Sequence, residues 1–210
     1  MLSSLIAFIL TAGPLMMTPG LETALVLRTS ISESYRAGFA VVLGICIAVG
    51  FWGSAAAFGL TALIAGSPFG FFLLKITGAI FLAYLGINLL RKPHTSLFDV
   101  VEVKEFPKNL ILNGIRNGFT TTLCNPGFAL VVLALFPQFV PQQTNVTMFV
   151  LMETAIQIIL AALWFGTLVM GGIPLRSLLG RPAIIKNFDR LTGVLFLIFG
   201  ILLLLMTRPS

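Results

Sequence analysis

Apolar residues in this chain come in runs too long for the helices and strands of a soluble domain. Six stretches, at about 4–27, 38–65, 69–90, 109–136, 146–172 and 190–207, are nearly continuous and rich in Leu, Ile and Phe. A bilayer core of about 30 Å takes roughly 20 residues of helix to cross. In lipid only helices and closed barrels satisfy their own backbone groups, and these runs lack the alternation of barrel strands. The pattern predicts an all-α integral membrane protein of six transmembrane helices, with the lipid bilayer as its solvent. Composition agrees: 58% of the 210 residues are hydrophobic and 10% charged, with a mean hydropathy of +1.05. A typical soluble chain is roughly 25% charged. A soluble enzyme, a disordered regulator and a disulfide-rich secreted module are excluded together.

The polar positions between the runs set the expected orientation. Arg28 and Arg36 follow the first span, and Arg91, Lys92, Lys104 and Lys108 follow the third. Arg176, Arg181 and Lys186 follow the fifth, and Arg190 opens the last. The second and fourth connectors, Gly66–Pro68 and Pro137–Asn145, contain no Lys or Arg. Cytoplasmic loops carry the excess of basic residues, so these three connectors are expected inside a bacterial inner membrane. Both termini are then periplasmic, with Arg208 alone on the contrary side. The net charge of +6 is thereby explained without nucleic acid. The stretch from Leu97 to Phe106 mixes Asp99, Glu102 and Glu105 with Val and Phe, and fits either an interfacial segment or a solvated loop. Met1 to Gly20 has no basic start, so it is expected to stay as part of the first span rather than be cleaved.

The runs also repeat. The first is interrupted at Thr18-Pro19-Gly20 and resumes with Ala24-Leu25-Val26-Leu27; the fourth is interrupted at Asn125-Pro126-Gly127 and resumes with Ala129-Leu130-Val131-Val132. The third contains Lys75-Ile76-Thr77-Gly78 and the sixth Arg190-Leu191-Thr192-Gly193. Each half has three spans, an odd number, so the second half enters the membrane inverted. The expected organisation is a first three-helix repeat over 1–92, a cytoplasmic loop over 93–108 and a second repeat over 109–210. Proline in mid-helix removes a hydrogen-bond donor, and the carbonyls it frees must find partners in protein, water or ligand. Broken helices at matching places in inverted halves mark a transporter's central site; ordinary helix kinks are the plainer alternative.

These residues resemble the LysE/RhtB family of bacterial amino-acid exporters over nearly the whole chain. The similarity is carried by Thr18-Pro19-Gly20, Arg36-Ala37-Gly38 with Gly44, and the third-span segment from Lys75 to Arg91. Asn125-Pro126, Pro137-Gln138-Phe139 and Leu191-Thr192-Gly193 complete it. The resemblance implies secondary-active export of amino acids or close derivatives, coupled to the proton gradient. The chain departs from the family pattern at Leu21 and Glu22, where Pro and Asn or Asp are usual. It departs again at Ala48-Val49, where many members have Gly-Asp, and at Gly127, where Lys is common.

Charged side chains inside a bilayer cost on the order of 2.5–3.5 kcal/mol by insertion scales, so those present tend to be paired or functional. Glu22, just past the first break, can bind an ammonium group, exchange a proton, or pair with Arg190 or Arg116. Asn125 offers an amide either to a ligand carboxylate or to the broken helix as a cap, and Thr18 can do the same in the other repeat. Thr18, Pro19, Gly20, Glu22, Asn125, Pro126 and Gly127 are therefore the expected substrate-binding set. Helix N-termini after the breaks are expected to offer free N–H groups to a carboxylate. Lys75 and Glu153 stand at similar depth and are expected to pair or share a cavity, with Gln157 one turn from Glu153. Glu22, Lys75, Glu153, Gln157 and Arg190 form the expected coupling or gating set. Gly78, Gly86, Gly193 and Gly200 are expected to serve close helix packing, which would also permit a homodimer.

No cofactor or metal motif is evident, and Cys46 and Cys124 sit in apolar stretches. A membrane hydrolase would need a buried Ser with a base; the single His, His94, lies in a loop, and Ser54 and Ser67 have no evident base. The chain is thus expected not to be an enzyme. A permease for another small metabolite or ion, or a transport-inactive membrane subunit, remain as alternatives to an amino-acid exporter.

Overall fold

The computed structural model describes residues 1–18, 20–66, 68–93, 109–179 and 181–205, and every regular element among them is helical. The first predicted span is two helices, α1 (Leu2–Met16) and α2 (Leu21–Ser32). The second and third are α3 (Tyr35–Gly66) and α4 (Pro68–Arg91). The fourth divides into α5 (Leu110–Leu123) and α6 (Pro126–Leu135), followed by a 3₁₀ turn over Phe136–Phe139. The fifth and sixth are α7 (Val146–Leu179) and α8 (Pro182–Leu205). The last helix thus begins eight residues ahead of its expected start. Pro182 suits a first helical position, and Ile185 and Asp189 in the added segment are buried. Pro19, Ser67, the stretch from His94 to Lys108 with its Leu97–Phe106 segment, and Arg208 lie outside the described residues.

Both predicted interruptions are real bends. α1 and α2 meet at 60°, and α5 meets the α6 segment at 62°. Three helices are long and apolar enough to cross a membrane, over Tyr35–Gly59, Val146–Gly171 and Pro182–Leu205. Counting each bent pair as one span raises the number to five. α4 does not meet that test over its described residues, so the helices directly support three to five spans against the six predicted.

The distribution of side chains is that of a protein dissolved in lipid. Phe39, Leu43, Ile47, Phe51 and Phe58, spaced along one face of α3, are all exposed. Glu153, Thr154, Gln157, Asp189 and Thr192 are buried. An aqueous surface would reverse this arrangement. Inside, one apolar cluster gathers Phe8, Leu82, Phe136, Phe149 and Phe199, with Phe8 edge-on to Phe136 at 5.2 Å. A second gathers Leu27, Val41, Ile45, Phe165 and Leu168.

Hydrophobicity cannot choose between helix and lipid as a neighbour, so close backbone approach decides the packing. α3 lies along α5 and α7, and α4 lies along α8. A side chain on Gly44 would run into the Ile115 carbonyl, and one on Gly118 into the Val41 carbonyl. Between α4 and α8, a Cβ on Gly86 would stand 2.7 Å from the Gly193 carbonyl oxygen, and a Cβ on Gly193 2.9 Å from that of Gly86. These two glycines are therefore used within one chain.

Gly193→Leu should wedge α4 from α8 and lower stability by about 1–3 kcal/mol or more, read as loss of monodisperse protein and a lower melting temperature in detergent. Gly50→Ala meets only an ordinary contact, 3.5 Å from Ile158 Cδ1. It should be neutral or stabilising by up to about 1 kcal/mol in the same measurement.

Candidate functional site

The two helix breaks meet, and the way each is capped brings them together. α6 starts at Pro126, whose missing N–H costs nothing at that position. Asn125 is its N-cap, and Oδ1 accepts from the Gly127 N–H at 3.0 Å and the Phe128 N–H at 3.3 Å. Its other end is then free to point away from α6. Asn125 Nδ2 donates to Glu22 Oε1 at 3.0 Å, across to the first turn of α2. The Leu123 carbonyl, left behind where α5 stops, accepts from Trp52 Nε1 at 3.2 Å. Of the two breaks, the second is thus satisfied by side chains from its own segment and from α3.

The first break is capped differently. Gly20 is the N-cap of α2, in an extended conformation, and has no side chain to offer. Glu22 supplies negative charge to the first turn instead, where the helix dipole favours it. The carboxylate curls back toward the helix end: a Cβ on Gly20 would stand 3.7 Å from Glu22 Oε2. Thr18, at the end of the first half-helix, shares a 2.6 Å hydroxyl–hydroxyl hydrogen bond with Thr192 of α8.

Between these elements lies a cavity of about 280 Å³. Its polar lining is Thr18, Glu22, Thr23, Thr122, Asn125, Gln157 and Thr192. Apolar walls come from both core clusters, with Ile45, Val49 and Phe165 on one side and Val131 and Phe196 on the other. Its size is at the lower edge of small-molecule pockets, roughly 300–1,000 Å³. No Lys, Arg or His is among the described residues that line it, and no group of side chains that could hold a metal is found among the described residues.

Of the expected binding set, Thr18, Gly20, Glu22, Asn125 and Gly127 all line the cavity. Pro126 stands in the first turn of α6. Asn125 caps its helix, so the α6 N–H groups of Gly127 and Phe128 are not free for a ligand carboxylate, contrary to expectation. Glu22 takes Asn125 as its partner, while Arg116 and Arg190 are exposed.

The expected coupling set separates. Gln157 lines the cavity, with its buried Oε1 lacking a hydrogen-bond partner among the described residues. Glu153, one turn away on α7, is fully buried, and neither carboxyl oxygen has a hydrogen-bond partner among the described residues. The bridge from Lys75 to Glu153 is therefore not made; the two residues sit on α4 and α7, and α4 packs chiefly on α8. Lys75, half-buried, and Arg190, exposed, both lie outside the cavity lining.

Sequence reasoning overlooked Thr23, Thr122, Phe128 and Phe165 in the lining, and the burial of Asp189. Thr122 had a signal, since it stands one turn before Asn125. Thr192 had another, in the repeated basic-x-Thr-Gly motif, but its counterpart Thr77 is exposed and bonds back to the Leu73 carbonyl at 2.8 Å. The motif repeats without the side chain doing the same thing twice.

Asn125 has two separable duties. Asn125→Ala should lose both, costing about 1–2 kcal/mol for the cap alone. Asn125→Asp should keep the cap but set a second carboxylate against Glu22, and the double change with Glu22→Gln should recover most of that loss. A double-mutant cycle of melting temperatures in detergent checks this; additivity between positions 22 and 125 would show that the bond carries no coupling.

The geometry can be set beside proteins of similar sequence. Residues 14–207 match the family of the LysE type translocator. The membrane protein YrhP of Bacillus subtilis (strain 168) is 30% identical over 203 residues, covering 94% of this chain and 97% of that one. The homoserine/homoserine lactone efflux protein of Salmonella typhi is 27% identical over 205 residues, 94% of each chain. The leucine efflux protein of Klebsiella pneumoniae is 24% identical over 197 residues, 93% of this chain and 92% of that one. No solved structure matches the chain. With the match running across both helix breaks and nearly the whole length, this multi-pass membrane protein belongs to the LysE type translocator family.

Proposed function

We propose that this transporter exports amino acids or close derivatives from the cytoplasm in exchange for protons. The observation that carries this reading is the cavity at the junction of two broken helices, where Glu22 and Asn125 meet across the two halves of the chain. A carboxylate at such a break attracts an ammonium group, and the apolar walls fit an uncharged side chain. Relatives named for efflux of leucine and of homoserine and its lactone support a substrate of that size.

The reading includes six spans as two inverted three-helix repeats, 1–92 and 109–210 about a cytoplasmic loop, with both termini periplasmic. Two bends of 60° and 62° at matching places support it. So do the pairing of α4 with α8 and of α3 with α7, each a helix with its counterpart in the other repeat. Rocking of one repeat against the other around a fixed site is the motion such symmetry permits.

Proton exchange needs a group that can hold a proton away from the substrate. Glu153 fits that part. A buried carboxyl with no donor must carry a proton or gain a partner when the helices move, and Gln157 lies one turn away at the cavity. Lys75 and Arg190, outside the cavity, are proposed only for gating as the repeats move.

Counterflow of labelled leucine and homoserine in proteoliposomes of the purified chain tests the function. Flux by the single chain supports a carrier, and flux that appears only with a second protein overturns it. Glu22→Gln should cut exchange at least tenfold. Glu153→Gln should keep downhill counterflow within about twofold yet abolish accumulation driven by a pH gradient. Retained pH-driven accumulation would remove Glu153 from the coupling.

A further inference from the structure

The two breaks bend alike, by 60° and 62°, and are closed differently. At α6 the N-cap supplies an oxygen of its own, Asn125 Oδ1, which accepts from the Gly127 and Phe128 N–H groups. At α2 the N-cap is Gly20, and no side chain caps the helix start among the described residues. The ladder of α2 begins with the Ala24 N–H, which donates to the Gly20 carbonyl at 3.0 Å. The N–H groups of Leu21, Glu22 and Thr23 precede it, and the first N–H groups of a helix have no partner within it. Gly20, Glu22 and Thr23 all line the cavity, and Thr23 is buried. Glu22 Oε1 is engaged elsewhere, accepting from Asn125 Nδ2 at the opposite break.

A second donor lines the same cavity from α5, the helix against which α2 packs. Thr122 is 0% exposed, and its Oγ1 has no hydrogen-bond partner among the described residues. A threonine inside a helix can turn its hydroxyl back to the carbonyl one turn earlier, as Thr120 does to that of Arg116 at 2.8 Å. Thr122, two residues on, does not. Thr18 and Thr192 spend their hydroxyls on one another. The start of α2 and the Thr122 hydroxyl are thus two buried donor sets to which the described residues give no acceptor. Burying such groups costs free energy unless something else pairs with them.

We infer that the start of α2 and Thr122 Oγ1 together receive a ligand carboxylate, with Glu22 taking the ammonium group of the same ligand, so that the cavity selects molecules carrying both. One carboxylate oxygen does for α2 what Asn125 Oδ1 does for α6, at the helix end that favours an anion. The other accepts from the Thr122 hydroxyl. The ammonium group stands between the ligand carboxylate and that of Glu22, and so separates two like charges. An apolar body then extends toward Ile45, Val49, Phe165 and Phe196. A buried site built to hydrogen-bond a group rejects the analogue that lacks it, because its own donors are left unpaired. This rests on the transport reading and deepens it, by adding Thr122 to the binding residues and making the free carboxylate a requirement of the site.

Binding to the purified wild-type chain in detergent tests it, with three probes sharing one apolar body: L-leucine, L-leucinamide and 3-methylbutylamine. At about pH 6.5 each carries an ammonium group, being below the roughly 7.7–8.0 of an α-amino group. The expected result is leucine at least tenfold tighter than either of the others, and the same ranking of the three as inhibitors of counterflow. Thr122→Val, close in shape, should weaken leucine at least fivefold and leave the other two within about twofold, and Thr122→Ser should restore leucine binding. Leucinamide or 3-methylbutylamine binding the wild-type chain as tightly as leucine overturns the inference and leaves the transport site in place. Thr122→Val weakening all three alike, or none, overturns the part given to Thr122. Absence of binding by all three, together with absence of leucine and homoserine counterflow, overturns the transport reading itself. The wild-type comparison stands even where Thr122→Val fails to fold.

Discussion

The structure depends on the rule that a backbone group in lipid must find its partner within the protein. A chain that breaks two of its helices leaves N–H and C=O groups to satisfy at both places. Asn125 resolves much of this with one side chain. Its oxygen closes the start of α6 and its nitrogen reaches 3.0 Å to Glu22 at the start of α2. The two breaks are thereby held face to face, and the space they leave between them is the cavity.

That arrangement explains why polar side chains in this protein are buried and apolar ones exposed. Threonines, an amide and a carboxylate converge where the helices open, and the outer faces of α3 and α8 carry Phe, Leu and Ile. Each buried polar group costs free energy unless it is paired. Glu153 and Gln157 on α7 lack that pairing in part, and both lie within reach of the cavity wall or one turn from it. Groups left in that condition are drawn to new partners when helices shift, which gives the α7 wall an interest in motion that a fully paired wall would not have. The close α4–α8 contact, by contrast, has no side chain between its backbones at Gly86 and Gly193.

Much of the fold was legible because lipid imposes a simple code. Runs of apolar residues marked the helices, and Thr18-Pro19-Gly20 and Asn125-Pro126-Gly127 marked the breaks. Proline and glycine act locally, so their effect on a helix can be read without knowing its neighbours. The candidate site was legible to the same extent: Thr18, Gly20, Glu22, Asn125 and Gly127 line the cavity because they lie at the breaks. Pairings across the bundle were not. Lys75 and Glu153 have similar depth, but depth is one coordinate and rotation about each helix is another. Glu22 has Asn125 beside it rather than an arginine for the same reason.

The sequence by itself determined the solvent, the helical class and the two places where helices break, since each follows from the character of a local run. The tertiary structure alone decided which side of each break faces inward and what meets it there. It set Asn125 to cap α6 and hold Glu22, matched Thr18 with Thr192 while leaving the repeated Thr77 outside, and placed Gly86 against Gly193 within one chain. Those outcomes depend on helix rotation and on backbone approach to within contact distance. Neither is written in hydropathy, because lipid and protein interiors are equally apolar.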